Sequence, residues 1–222
     1  MARRGRNEDD PRIPLFFVSY SQVRPNPQAA TDPADYKELA LDLFNDLSVH
    51  VSELAGRPTG ADSGFIDRSL GGGERWTPAL LKAAGSCQVF IPLVSPLFTF
   101  SEWCGMEWDA FSRRRAVARE APKTDQATAI LPVIWVPTAV KNLPRVVSEI
   151  QMFSPGGLER SDITRYAREG LYGLRAMGGH STYNAVVWRL AQRVMEIHQT
   201  HWVEPWIPKG TDELRNVFKE DG

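Results

Sequence analysis

Cysteine is nearly missing from this chain. There are two in 222 residues, Cys87 and Cys104. Two thiols are too few for a disulfide framework or a zinc cage. Both sit in apolar contexts and read as buried thiols. Neither sign of charge dominates: 26 Lys and Arg stand against 27 Asp and Glu, a net charge of −1. Bulk electrostatics therefore gives no reason to expect a nucleic acid or an anionic membrane as partner. No apolar run is long enough to span a bilayer, and the N-terminus lacks a secretory h-region. These absences point to the cytoplasm. Gly71-Gly72-Gly73 invites a phosphate-loop reading, but no Gly-Lys-Ser/Thr follows it and no G-x-G-x-x-G occurs. A nucleotide triphosphatase and an ordinary dinucleotide-binding fold are thus unsupported. With no G-x-S-x-G elbow, a serine acyl-transfer enzyme is unsupported too. His198 and His201 lie three apart with no third ligand nearby in sequence, a pattern of surface residues rather than a metal site.

What is present is ordinary for a globular protein, with 42% apolar and 24% charged residues. The length suits one large domain with tails. Residues 1–12 are polar and of mixed charge, and read as a disordered lead. Leu15–Tyr20 is a short apolar strand without alternation, the mark of a central strand covered on both faces. A loop to Thr31 follows. Asp32-Pro33 then opens a helix carrying Tyr36, Leu39, Leu43, Leu47, Val51 and Leu54 at helical spacing. Gly64–Asp67 is a second strand, ending in a carboxylate and followed by the triple-glycine loop. Thr77-Pro78 caps the next helix. Gln88–Ser95 is the third strand, and Ala129–Val136 the fourth, with Pro132 implying an edge position or a bulge. Ile150–Phe153 is a short candidate fifth strand. Residues 154–180 hold a helix-like core between glycines, and Ser181 or Thr182 caps a final helix. Residues 203–222 read as a tail, or as a linker to a further module. Strand and helix alternate four or five times, which is the pattern of an open parallel sheet with helices on both faces.

The stretch Ser101–Phe111 follows the third strand. Ser101 reads as an N-cap, with Glu102 at the positive end of the helix dipole. This helix is expected to run to about Arg119, ending in the solvated basic cluster Arg113-Arg114-Arg115. At about 3.6 residues per turn, Trp103 and Glu107 share a face. Cys104, Trp108 and Phe111 lie on the adjacent face, toward the sheet. Glu107 then points along the rim of whatever opens at the strand's end, with an indole one turn before it. Loops after strands one, two and three of a doubly wound sheet converge on one crevice. Tyr20-Ser21-Gln22, Asp67 to Trp76 and Phe98 to Glu107 would surround it.

Three segments together resemble TIR (Toll/interleukin-1 receptor) domains. Phe17-Val18-Ser19-Tyr20-Ser21 is similar to the first box of that family. Gly64-Phe65-Ile66-Asp67 with the glycine loop and Leu80–Ala84 is similar to the second box and its BB loop. Ser101-Glu102-Trp103-Cys104-Gly105-Met106-Glu107, after Ser95-Pro96, resembles the S-x-W-C-x-x-E signature of plant and many bacterial members. The resemblance spans residues 13–136 and is loose beyond them. Residues 13–202 would form the domain, with 154–180 a divergent insert longer than usual. The resemblance implies a flavodoxin-like α/β sandwich with a central parallel sheet of about five strands. For the enzymatic branch it implies cleavage of NAD+ at the nicotinamide–ribose bond, to ADP-ribose or a cyclic product. Glu107 falls on the catalytic glutamate and Trp103 on the aromatic flanking nicotinamide. Tyr20, Ser21, Asp67, Arg68 and Trp76 fall around the dinucleotide. No metal or resident cofactor is implied, since NAD+ is the substrate. Homo-oligomers through TIR–TIR contacts, in a bacterial defence or signalling setting, are the implied assembly. The first box departs from the pattern, with Ser21-Gln22 where several active members have basic residues. Two rivals stand beside this reading. One is a non-catalytic scaffold that binds partners. The other is a receiver-like regulator, which lacks its acidic pair here because Ser19-Tyr20-Ser21 follows the first strand.

Overall fold

The computed structural model describes residues 13–21, 33–57, 63–68, 77–120 and 128–219. The first strand, β1, is Phe16–Ser19, and the helix α1 is Pro33–Ala55. Next come β2 (Gly64–Ile66), α2 (Pro78–Ser86) and β3 (Val89–Val94). Two helices follow β3, α3 (Pro96–Phe100) and α4 (Glu102–Ser112). The chain continues through β4 (Ala116–Ala118), β5 (Val133–Ile134), α5 (Arg145–Ser148) and α6 (Arg160–Ala176). It then forms α7 (His180–Thr200) and β6 (His201–Val203). The main sheet is parallel, in the order β2-β1-β3-β5. Helices flank it, α1 packing on α7 and α2 on α4, in the manner of a flavodoxin-like sandwich. Among the described residues no helix is long and apolar enough to cross a membrane.

The two central strands are the two that are apolar without alternation. Every residue of β1 and β3 is buried, as strands covered on both faces require. Phe17 pairs in register with Phe65 and Phe90, and its ring lies 5.7 Å and 5.6 Å from theirs. Pro132 has the expected effect. A bridge joins Phe90 to Ile130, and pairing resumes only where Leu93 and Val94 meet Val133 and Ile134, because proline has no N–H for the ladder. β5 lies at the edge of this sheet. Ile150–Phe153 does not form a fifth strand. α5 ends at Ser148, just before it, and the segment adds one backbone bond, Phe153 N–H to the Pro132 carbonyl at 2.7 Å.

Three other expectations are corrected. First, α4 ends at Ser112 and not near Arg119. An ion pair between Asp109 and Arg113 at 2.5 Å closes its last turn, and Ala116–Ala118 leaves as a strand antiparallel to β6. Arg114 is buried, not solvated. Second, α7 starts at His180 without a side-chain cap. The Thr182 hydroxyl instead donates to Asp162 of α6 at 2.6 Å. Third, residues 204–219 are no free linker, because their apolar side chains find a surface. Trp206 N–H donates to the Gly85 carbonyl at 2.9 Å, and Arg215 N–H to Asp109 at 2.9 Å. The Phe218 ring packs 5.4 Å from Phe98 and 6.0 Å from Trp108. This strap lies along α2 and α4. The expected lead over residues 1–12, the Asp32 cap and the triple-glycine loop fall outside the described residues.

Within 154–180 the helix-like core is α6, with Tyr166, Leu171 and Leu174 buried. Gly170 kinks it with φ +67°, a conformation that side-chain-bearing residues rarely adopt. A Cβ there would also strike the Trp135 backbone, whose carbonyl accepts Tyr172 N–H at 3.1 Å. Gly170→Ala is expected to cost roughly 2–4 kcal/mol, from strain plus the clash. Urea unfolding of the two proteins measures it.

Candidate active site at the carboxyl edge of the sheet

In this strand order the winding reverses between β1 and β3, and ligands of such sheets bind beyond the carboxyl ends of the strands at that point. The local sequence places polar groups there. β1 ends on Ser19, followed by Tyr20 and Ser21. β3 is followed by Ser95, whose hydroxyl caps α3 by accepting from Phe98 N–H at 3.1 Å. The Tyr36 hydroxyl of α1 donates to the same oxygen at 3.3 Å. Ser101 then caps α4 through Cys104 N–H at 3.3 Å. Two serine caps thus fix where α4 begins, and with it where Glu107 lands. The Glu107 carboxyl lies at the end of β1, and the Ser19 hydroxyl donates to its Oε2.

Glu107 is only 6% exposed. It is turned further inward than the rim position expected of it. The cause is the hydroxyl at Ser19, which gives the acid a partner beneath the helix. Burial pushes the carboxyl up to about 8. The Ser19 hydrogen bond opposes that rise, and the negative charge of Asp67 adds to it. The acid is therefore held largely protonated at neutral pH. Its neighbours feel it in turn. Burial raises the Cys104 thiol strongly, and Glu107 raises it further, so this cysteine is no nucleophile. Burial likewise raises the Tyr20 phenol, with Asp67 and Glu107 adding to the effect. Tyr20 donates to the Asp67 carbonyl at 3.3 Å, tying the ends of β1 and β2 together.

The residues singled out in the sequence are placed as follows. Glu107, Tyr20 and Asp67 come together around the end of β1, and Ser21 is buried beside Tyr20. Trp103 lies one turn before Glu107 and is 37% exposed. Arg68 offers its carbonyl to Lys37 Nζ at 2.8 Å, and its guanidinium sits 5.6 Å from the centre of the Phe44 ring on α1. Its described contacts are thus with α1. Trp76 lies outside the described residues. Ser19, Tyr36, Ser95 and Cys104 were not singled out as site residues. For Ser19 and Ser95 a signal existed, since each is the first hydroxyl at the end of an apolar strand run. Among the described residues no group of three His, Cys, Asp or Glu side chains could hold a metal ion. His201 shares a 2.8 Å hydrogen bond with Thr200.

No protein-family model matches the chain, and no curated protein matches it either.

Proposed function

We propose that this chain is a TIR-like NAD+ hydrolase that cleaves the nicotinamide–ribose bond, with Glu107 as its catalytic carboxylate. One observation carries the reading. A carboxyl is buried at the β1/β3 switch point, held by Ser19 and pushed up to about 8, with a half-exposed indole one turn before it. Buried acids with pKa values pushed this far concentrate at functional sites.

The chemistry needs only one such group. Ordinary glycoside hydrolysis uses two carboxyls because the leaving oxygen must be protonated. In NAD+ the leaving group is already a pyridinium and departs as neutral nicotinamide. What remains is to stabilise positive charge on the ribosyl carbon. An empty site keeps Glu107 protonated through desolvation. A bound nicotinamide riboside cation favours the ionised form, so the proton passes to solvent as the substrate seats. As the glycosidic bond breaks, positive charge concentrates at the ribosyl carbon and its attraction to the carboxylate grows. An interaction stronger in the transition state than in the ground state lowers the barrier. The Ser19 hydroxyl keeps the carboxylate aimed. Trp103 offers an aromatic face to the nicotinamide. Water at the ribosyl carbon yields ADP-ribose, and an adenine nitrogen folded back yields a cyclic product.

The test is nicotinamide release from NAD+ by the purified chain, with and without a crowding agent that promotes self-assembly. Release by the wild type and its loss in Glu107→Ala are expected. The pH dependence gives a second test. The carboxylate form of free Glu107 grows as pH rises, so kcat/KM climbs through about pH 8. Removing the neighbouring charge with Asp67→Asn lowers the Glu107 pKa and moves that climb to lower pH. A profile that falls over this range would give Glu107 the opposite protonation state and sink the mechanism.

A scaffold role is the second reading, and one observation favours it. Phe100 at the end of α3 is 85% exposed, α3 also exposes Leu97, and Trp103 at the start of α4 is 37% exposed. Apolar groups displayed together mark contact surfaces. Under this reading the wild type and Glu107→Ala assemble alike and neither consumes NAD+.

A further inference from the structure

Against the face of α4 adjacent to Glu107 lies a cavity of about 380 Å³. Trp108, Phe111, Ile130, Val146 and Val217 give it apolar walls, and Arg114 gives it a charge. Arg114 is 8% exposed. Its donors meet neutral acceptors only: the carbonyls of Ala84 at 3.0 Å, Glu204 at 3.1 Å and Val203 at 3.4 Å, and the Cys87 sulfur at 3.6 Å. Among the described residues no carboxylate pairs with it. Cys87 supplies no negative charge, because burial pushes its thiol up to about 11. Glu149 also lines the cavity, but it is exposed and committed to Arg145 at 2.8 Å. A buried cation normally has a counter-ion, since carbonyl dipoles solvate a charge without cancelling it. The cation here stands at the wall of a largely apolar cavity.

We infer that this cavity is a second ligand site, taking a small apolar carboxylate whose anionic head meets Arg114 and whose body fills the space between Trp108, Ile130 and Val146. Size agrees with that class. A cavity of about 150 Å³ holds benzene, so this one takes a ring with a short chain. Chemistry agrees as well. A carboxylate placed against a desolvated guanidinium forms a charge-assisted pair that an amide of the same shape cannot. Glu149, exposed at one edge, sits where the mouth meets solvent, so the anion belongs at the inner, Arg114 end. Trp108 and Phe111 of the wall are on the helix that carries Glu107. A ligand here therefore shares α4 with the first site without touching Glu107. The binding claim itself stands whether or not Glu107 proves catalytic.

Isothermal titration of the full chain with 4-phenylbutyrate and with 4-phenylbutyramide tests it. The acid is expected to bind at least about tenfold tighter than the amide. Val146→Trp, which fills the cavity from its partly buried wall, is expected to weaken the acid by a similar factor while the thermal melt shows a folded protein. Glu107→Gln is expected to leave the affinity unchanged. No binding of the acid overturns the inference. So do equal affinities for acid and amide, undiminished binding by folded Val146→Trp, or loss of binding in Glu107→Gln, which would put the ligand in the first site.

Discussion

Glu107→Gln is expected to lose nearly all NAD+ turnover and to make the protein more stable, the second effect growing with pH. The turnover loss follows from removing the charge that meets the ribosyl cation. Deleting one preorganised electrostatic group of this kind costs about 10²–10³ in rate. The stability gain follows from linkage. The folded-state pKa of about 8 lies above the 4.5 of an unperturbed glutamate. Between those values the folded protein keeps a proton that the unfolded chain releases, so unfolding becomes easier as pH rises through the window. Below it both states are protonated and the effect vanishes. Gln has nothing to release and escapes the penalty. At pH 8.5 the variant should melt roughly 5–10 °C above the wild type, and at pH 4 within about 2 °C of it, on the usual scaling for a chain this size. Melting curves at the two pH values, beside a nicotinamide-release assay, check both halves. A variant that is less stable at pH 8.5 would mean that the acid is ordinarily ionised, with a partner supplying the compensation.

Removing residues 205–222 destabilises the whole domain. The strap covers part of α4. Without it Trp108 and Phe98 lose the Phe218 ring, and Asp109, a buried carboxylate, loses the Arg215 N–H. The Arg113 guanidinium loses both the Glu213 carbonyl at 2.8 Å and the Trp206 ring at 5.2 Å. Exposed aromatic surface and a half-satisfied buried carboxylate together cost about 3–5 kcal/mol. That corresponds to a fall of roughly 10–15 °C in Tm. Phe218→Ala alone should give a smaller part of the fall, about 1–3 kcal/mol, because the ring is only partly buried. A truncated chain that melts with the full one would return the segment to the passive linker that its sequence resembles.

The sequence disclosed the elements whose signals are local. Phe16–Val18 and Val89–Val94 announced central strands by being apolar without alternation. Ser101 and Thr77 announced caps, and both caps form. Pro132 announced the broken ladder. Glu107 was legible because it follows Ser101 at helical spacing after a strand. What stayed hidden depends on partners distant in sequence. Nothing beside Arg114 says that three carbonyls will receive it. The apolar residues of 206–218 have no helical or strand period, so their docking on α4 leaves no trace in spacing. The same holds for Glu107's depth. Its burial is set by a hydroxyl 88 positions earlier, at the end of β1. Thr182 reads as a cap until α6 supplies Asp162.

The proposed mechanism requires an acid that stays neutral until a cation arrives. Carbon-13 NMR of the Glu107 side-chain carboxyl, assigned by comparison with Glu107→Gln, reads its titration directly with and without a non-hydrolysable NAD+ analogue that keeps the pyridinium. The expected result is a midpoint near 8 in the free protein, shifted down by a unit or more when the analogue binds. A midpoint near the ordinary carboxylate value, unmoved by the analogue, would contradict it.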